Sequence, residues 1–182
     1  MSAQSDADSP VISLRLARTG DEPRLALLGG ATFLESYAHM LPVTDVLAHV
    51  ARQHAPEVYA RWLVDPACRC WLLECEPGHA PVGYAVVTPP DLPLSDLADD
   101  DLEIRRIYLL HKYQRGGRGG QLMQAVREHA RAAGARRLLL GVYSRNAVAL
   151  AFYERQGFSR AGTRQFRVGA NDYFDYILQL VL

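Results

Sequence analysis

The stretch Leu109-Leu110-His111-Lys112-Tyr113-Gln114-Arg115-Gly116-Gly117-Arg118-Gly119-Gly120-Gln121-Leu122 decides how the rest of the chain is read. An apolar run precedes it and a helical alternation follows it, so the four glycines join a strand to a helix. A tight turn needs one or two glycines, and four exceed that need. Backbone without Cβ atoms approaches a ligand closely and takes up positive φ. The first N–H groups of the next helix lack intrahelical partners and carry the positive end of its dipole. Together these are the properties of a phosphate cradle, and Lys112, Arg115 and Arg118 surround it with positive charge. Two other phosphate loops fail the test. A P-loop needs Lys directly after its last glycine, and none stands there. A dinucleotide fingerprint needs a third glycine three residues after the second, and counted from Gly117 and Gly119 that position is Leu122.

Working outward, the upstream chain alternates strands and helices. Val11–Ala17 reads as a strand, and Thr19-Gly20-Asp21-Glu22-Pro23 starts a helix that runs to about His39. A second helical region runs to about Val64 with a break near Pro56. Arg69–Glu76 and Pro81–Thr88 form a hairpin around Pro77-Gly78-His79, and a loop rich in Pro and Asp leads to a strand over Leu102–Leu110. Downstream, a helix over Gln121–Ala133 ends at Gly134, a strand spans Arg137–Tyr143, and Asn146 caps a helix to about Gln156. Phe158–Val168 and Tyr173–Leu182 close the fold as strands. The order β-α-α-β-β-β-α-β-α-β-β predicts an α/β fold, a mixed sheet covered by helices. Residues 1–10 read as a disordered tail and residues 11–182 as a single domain.

Composition narrows the class. In 182 residues, 49% are hydrophobic and 22% charged, which excludes a collagen, a rod or a wholly disordered chain. No run of about 18 apolar residues exists, so no membrane partner is expected. The polar N-terminus lacks the apolar core of a secretory signal. Cys68, Cys70 and Cys75 are too few and too clustered for a disulfide framework, which fits a reducing, cytoplasmic setting. Cys68 and Cys70 read as core residues, and the scattered histidines form no metal spacing. The formal net charge of zero hides an asymmetry. Residues 1–103 carry 6 Arg against 16 acids, net −10; residues 104–182 carry 13 Arg and Lys112 against 4 acids, net +10. Either the halves face different partners, or one folds against the other. The cations interleave with the phosphate loop and form no stripe, so nucleic acid is not an expected partner.

Two motifs carry a family resemblance. Gln114-x-x-Gly117-x-Gly119 after an apolar strand resembles the pyrophosphate loop of the GCN5-related N-acetyltransferases (GNAT). Asn146-x-x-Ala149-x-x-Phe152-Tyr153-x-x-x-Gly157-Phe158 is similar to that family's second characteristic stretch. Together they cover roughly residues 102–160. The closing segment, Gln165-Phe166-Arg167-Val168-Gly169 with Asp175-Tyr176-Ile177, resembles the PaiA-like polyamine acetyltransferase branch. The resemblance implies a mostly antiparallel sheet of about seven strands flanked by about four helices. It also implies direct acetyl transfer from acetyl-CoA, the co-substrate, to a primary amine with no metal. A small cationic, polyamine-like amine is the expected acceptor. An amino acid, a peptide or protein N-terminus, or a non-catalytic CoA-binding module are the alternatives, and a homodimer is compatible with the sequence.

By the same resemblance, the backbone of Ile107, Tyr108 and Leu109 meets the pantetheine. Gln114, Arg115, Gly116, Gly117, Arg118, Gly119 and Gly120 hold the pyrophosphate, and Asn146 bonds the pantetheine arm. Asn146, Ala149 and Tyr153 fall on one helical face, with Leu150 and Phe152 turned toward the core. Tyr153 is then the acid that protonates the departing thiolate, since a phenol near pKa 10 can protonate a thiolate near 8.5. Glu103, four residues before Ile107, matches a carboxylate position of several family members and is the expected proton acceptor; Tyr108 and His111 compete with it. Asp91, Asp96, Asp99, Asp100 and Asp101 are expected to wall the acceptor site and attract a cation.

Overall fold

The computed structural model describes residues 10–168 and 171–182. Residues 1–9 of the expected tail, and Gly169, lie outside that range. The element order is β1 (Ile12–Leu16), α1 (Glu22–Tyr37), α2 (Val43–Gln53), α3 (Pro56–Val64), β2 (Arg69–Cys75), β3 (Ala80–Thr88) and β4 (Asp101–Leu109). A 3-10 turn, His111–Tyr113, then leads to α4 (Arg118–Ala132), β5 (Arg137–Tyr143), α5 (Ala147–Arg155), β6 (Ser159–Val168) and β7 (Asn171–Val181). There are five α-helices among the described residues where about four were expected, because the second helical region is two helices. Ala55 is extended at ψ 145 ahead of Pro56, and the residue before a proline is driven out of the helical region.

One seven-stranded sheet runs in the order β1-β2-β3-β4-β5-β7-β6. Every pairing is antiparallel except β4 with β5. Val82–Val87 of β3 are buried without interruption, as befits a central strand covered on both faces. On one face Ala85 and Val87 pack with Leu122, Met123 and Val126 of α4. On the other, Tyr84 and Val86 pack with Leu25 and Leu28 of α1 and Tyr59 of α3. Cys68 and Cys70 are buried, as expected of core residues.

The oppositely charged halves meet each other. Arg137 is held by Asp96 and Asp101, Arg136 reaches Asp100 and Asp101, and Arg105 pairs with Asp91 and Glu103. Burial opposes ionisation of Asp101, but hydrogen bonds from Arg137 and Arg136 hold its carboxyl at about 2. The charge asymmetry is thus neutralised in part inside the fold. No described helix is long and apolar enough to cross a membrane.

Candidate active site

The site begins where the sheet opens. β4 and β5 pair over three residues only, Asp101, Leu102 and Glu103 against Arg137, Leu138 and Leu139. Beyond Glu103 the parallel neighbours separate, so among the described residues one edge of β4 from Ile104 to Leu109 has no strand beside it. A bulge stands at that point: Val86 and Val87 face Arg106 and Ile104, which leaves Arg105 as the extra residue of β4. A bulge bends its strand and raises the local twist, which turns β4 away from β5. The other edge stays paired, with Ile107 opposite Ala85 and Leu109 opposite Gly83.

The glycine turn closes the end of this opening. Gly116 and Gly117 take positive φ, +80° and +76°, a region that L side chains rarely adopt. Helix α4 starts at Arg118, three residues before the expected start, so Gly119 and Gly120 lie inside its first turn. Its first ladder bond runs from Gln121 N to Gly117 O, which leaves the N–H groups of Arg118, Gly119 and Gly120 outside the ladder. Gln114 Nε2 bonds back to Leu109 O at 3.3 Å and braces the strand end against the turn. Arg118 folds over its own loop, donating to Arg115 O at 2.9 Å and lying 5.8 Å from the Tyr113 ring.

Helix α5 supplies the next two groups. Asn146 is its N-cap, and Asn146 Oδ1 accepts from Ala149 N at 3.1 Å. Tyr153 is 8% exposed and is the buried residue of α5, whereas Phe152 is half-buried. Leu150 and Phe152 pack against the core as expected, Phe152 also covering Gly119, while Tyr153 reaches deepest. Burial, then the neighbouring Tyr108 phenol, pushes the Tyr153 hydroxyl above its ordinary range.

Tyr37 of α1, Tyr108 of β4 and Asp175 of β7 influence one another's ionisation. Tyr37 is raised well above the usual phenol value by Tyr108, by burial and by the charge of Asp175. Burial raises Tyr108 as well, Arg106 opposes it, and Asp175 adds to the rise. Asp175 accepts from Arg164 Nε at 3.0 Å, yet burial pushes its carboxyl up. Behind β4, Arg106 is wedged among His54, Tyr59 and Trp62 and donates to Tyr59 Oη at 2.6 Å. Burial first, then the Arg106 charge, holds His54 neutral, down at about 2.

Glu103 is 2% exposed and already engaged. Its Oε2 accepts from Asp91 N at 2.7 Å, and both oxygens accept from Arg105. The acidic loop is met by arginines. Asp96, Asp100 and Asp101 pair with Arg136 and Arg137 at the start of β4, about 26 Å along an ideal strand from Leu109. His111 is exposed, its N–H bonded to Glu35 Oε2 at 3.0 Å.

Residues 34–158 match the Acetyltransferase (GNAT) family. The chain belongs to that family. An uncharacterized N-acetyltransferase of Mycobacterium tuberculosis is 32% identical over 158 residues, 87% of this chain and 96% of the relative. Another, from Lactobacillus delbrueckii subsp. lactis, is 32% identical over 55% of this chain and 58% of its own length. Among solved structures, the PaiA N-acetyltransferase of Thermoplasma acidophilum in complex with coenzyme A superposes with a TM-score of 0.73 at 15% identity, over 94% of this chain and 99% of that one. The ribosomal-protein-S18-alanine N-acetyltransferase of Escherichia coli gives 0.67 at 18% identity, over 94% of each chain. This GNAT chain is an acetyl-CoA-dependent N-acetyltransferase.

Within the GNAT fold, the structure brings Tyr108, Tyr153 and the glycine turn to one opening and leaves Glu103 clamped at its closed end. Sequence reasoning gave no role to Tyr37, Arg164 or Asp175. The signal for Asp175 was present: it is the one acid in the aromatic and apolar run Tyr173-Phe174-Asp175-Tyr176-Ile177. No metal-binding cluster occurs among the described residues.

Proposed function

We propose that the enzyme acetylates the primary amine of a small cationic acceptor, with polyamines such as spermidine as the favoured class. The observation that carries the catalytic reading is the parting of β4 from β5 after Glu103, beside a helix that starts on glycines. The unpaired edge at Ile107 and Leu109 takes the pantetheine amides as an added strand does, with Tyr108 between them. The N–H groups of the turn from Arg115 to Gly120 surround the pyrophosphate. Asn146 caps α5 through Oδ1 and so keeps its Nδ2 amide for the pantetheine arm. Burial keeps Tyr153 protonated across the neutral range, and its hydroxyl protonates the CoA thiolate as the C–S bond breaks.

For the acceptor, the support is the closing segment's resemblance to polyamine acetyltransferases together with the phenols of Tyr37 and Tyr108, whose ring faces attract cations. An amino acid or peptide N-terminus is the second reading. It is favoured by a cavity of about 330 Å³ between α2 and β6, where Arg52 suits a carboxylate, although Asp45 also lines it and Arg167 is paired with Asp172. A CoA-binding module without turnover has no use for Tyr153 beside an intact cradle. The test is a thermal shift with acetyl-CoA, then an amine panel read out by free-thiol release. Spermidine turned over faster than amino acids and peptides supports the favoured class, and the reverse order overturns it. No thermal shift overturns the site itself.

A further inference from the structure

One buried carboxylate near the parting of the sheet uses only one of its oxygens in hydrogen bonds among the described residues. Asp175 is 5% exposed and sits on β7 opposite Tyr143, at the end of β5 where the sheet has parted. Its Oδ2 accepts from Arg164 Nε at 3.0 Å. Its Oδ1 has no hydrogen-bond partner among the described residues. That oxygen is not sealed in either, since only Arg127 Nε is both buried and unpartnered among the described side chains. Arg164 stands opposite Asp175 in the β6–β7 pairing, and the Asp175 charge acts on Tyr37 of α1 and Tyr108 of β4. The backbone leaves space for the arginine: a Cβ on Gly141 would lie 2.6 Å from Arg164 Nη2, and Phe166 covers the guanidinium at 5.5 Å.

We propose that Asp175 is the group that takes the proton from the acceptor ammonium, and that Arg164 is its positioning residue. The proposal rests on the acetyl-transfer reading above and deepens it. The ammonium gives one proton to Asp175 Oδ1, and the freed lone pair attacks the thioester carbonyl carbon. The C–N bond forms and the C–S bond breaks. The departing thiolate takes a proton from Tyr153, and the second N–H proton of the new amide restores Tyr153. Asp175 returns its proton to solvent, so the products are amide, free thiol and one proton. Two opposed influences suit the carboxylate to this work. Burial raises its proton affinity, and Arg164 keeps it from staying protonated. Glu103 lacks this freedom, because Asp91 N and Arg105 occupy its oxygens.

The test compares spermidine, or whichever amine of the panel turns over fastest, with hydroxylamine, which is already neutral at pH 7 and needs no base. Acetyl-CoA consumption is followed from pH 5 to 9. Asp175→Asn should lower kcat/KM for the protonated amine by about 10²-fold or more and move the acid limb up toward the pKa of the amine itself, while hydroxylamine loses only a few-fold. Arg164→Met should move the acid limb to higher pH, because the cation that lowers the carboxyl is gone; a merely structural pair would not move it. An acid limb that stays at its wild-type pH in Asp175→Asn, or that moves up in Glu103→Gln instead, overturns the proposal. If Asp175→Asn fails to fold, an unmoved limb in Arg164→Met overturns it alone. A wild-type chain that neither binds nor consumes acetyl-CoA contradicts the acetyl-transfer reading, and is told apart by the thermal shift.

Discussion

Gly119 of α4 faces Phe152 of α5 so closely that a Cβ on the glycine would lie 3.3 Å from the ring edge. The two motifs of the chain are therefore in contact, and the glycine is required by packing as well as by a ligand. An alanine there asks the ring to yield by a few tenths of an ångström; a branched valine asks for more. Gly119→Val should weaken CoA binding more than about 10-fold, or 1.4 kcal/mol, and lower the melting temperature. Gly117 has open space around it but a φ of +76°. Gly117→Val should lose binding with a stability cost set by backbone strain, roughly 1–2 kcal/mol. Calorimetric titration with CoA beside a thermal melt separates the two. Wild-type affinity in a folded Gly119→Val protein would remove the turn from the site.

Tyr153→Phe keeps the ring that packs against Phe152 and Phe158 at 5.3 and 5.7 Å, and removes only the hydroxyl. The fold should hold and CoA affinity should stay within a few-fold. The rate should fall by about 10² to 10⁴-fold, the usual worth of a general acid. Because the proton moves only in the transition state, kcat and kcat/KM should fall together. A kcat unchanged between pH 6 and 9 would take Tyr153 out of the reaction.

Asp101 and Arg137 are 1% and 5% exposed and share two hydrogen bonds of 3.0 Å. Asp101→Asn leaves the Arg137 charge with its exposed partner Asp96. Breaking a buried pair on one side costs about 3–5 kcal/mol. Melting should drop on the order of 10 °C for a domain of this size. The acid behaviour follows from the same groups. Asp101 and Asp21 are both held at about 2, below the ordinary 3.8. A depressed carboxyl contributes stability that is complete above about pH 4 and is lost as pH falls toward 2. Circular dichroism from pH 6 to 2 should show the variant unfolding at higher pH than the wild type. Coincident curves would mean the pair contributes nothing.

Much of this was legible in the sequence, and the reasons for the rest are physical. Arg137–Tyr143 was read at its observed bounds because apolar residues run unbroken between Arg137 and Gly141. The start of α4 was placed three residues late because glycine is a poor helix former; in a first turn, no ladder bond is asked of it. The parting of β4 from β5 has no local mark. It depends on the register of strands more than 30 residues apart and on a bulge at Arg105, where neither Gly nor Pro stands. The pairing of the acidic half with the basic half was one of two readings, and no local pattern chooses between them. Asp175 carries no local mark of its role, because Tyr37 and Tyr108, on which its charge acts, come from other elements.

The acidic loop offers the last prediction. Its aspartates stand at the closed end of the β4–β5 opening, and Asp96, Asp100 and Asp101 are matched by Arg136 and Arg137. A carboxylate beside an arginine presents little net field to a distant cation. What field remains is screened over about 8–10 Å at ordinary ionic strength, well short of the roughly 26 Å from Asp101 to Leu109 along the strand. The double variant Asp99→Asn, Asp100→Asn should therefore leave the KM for spermidine within about two-fold of wild type. Raising the salt from about 50 to about 300 mM should affect both proteins alike. Were the loop the acceptor wall, the double variant would raise KM several-fold and flatten its salt dependence. Steady-state kinetics with saturating acetyl-CoA distinguish the outcomes, and a several-fold rise in KM would restore the acidic loop to the acceptor site.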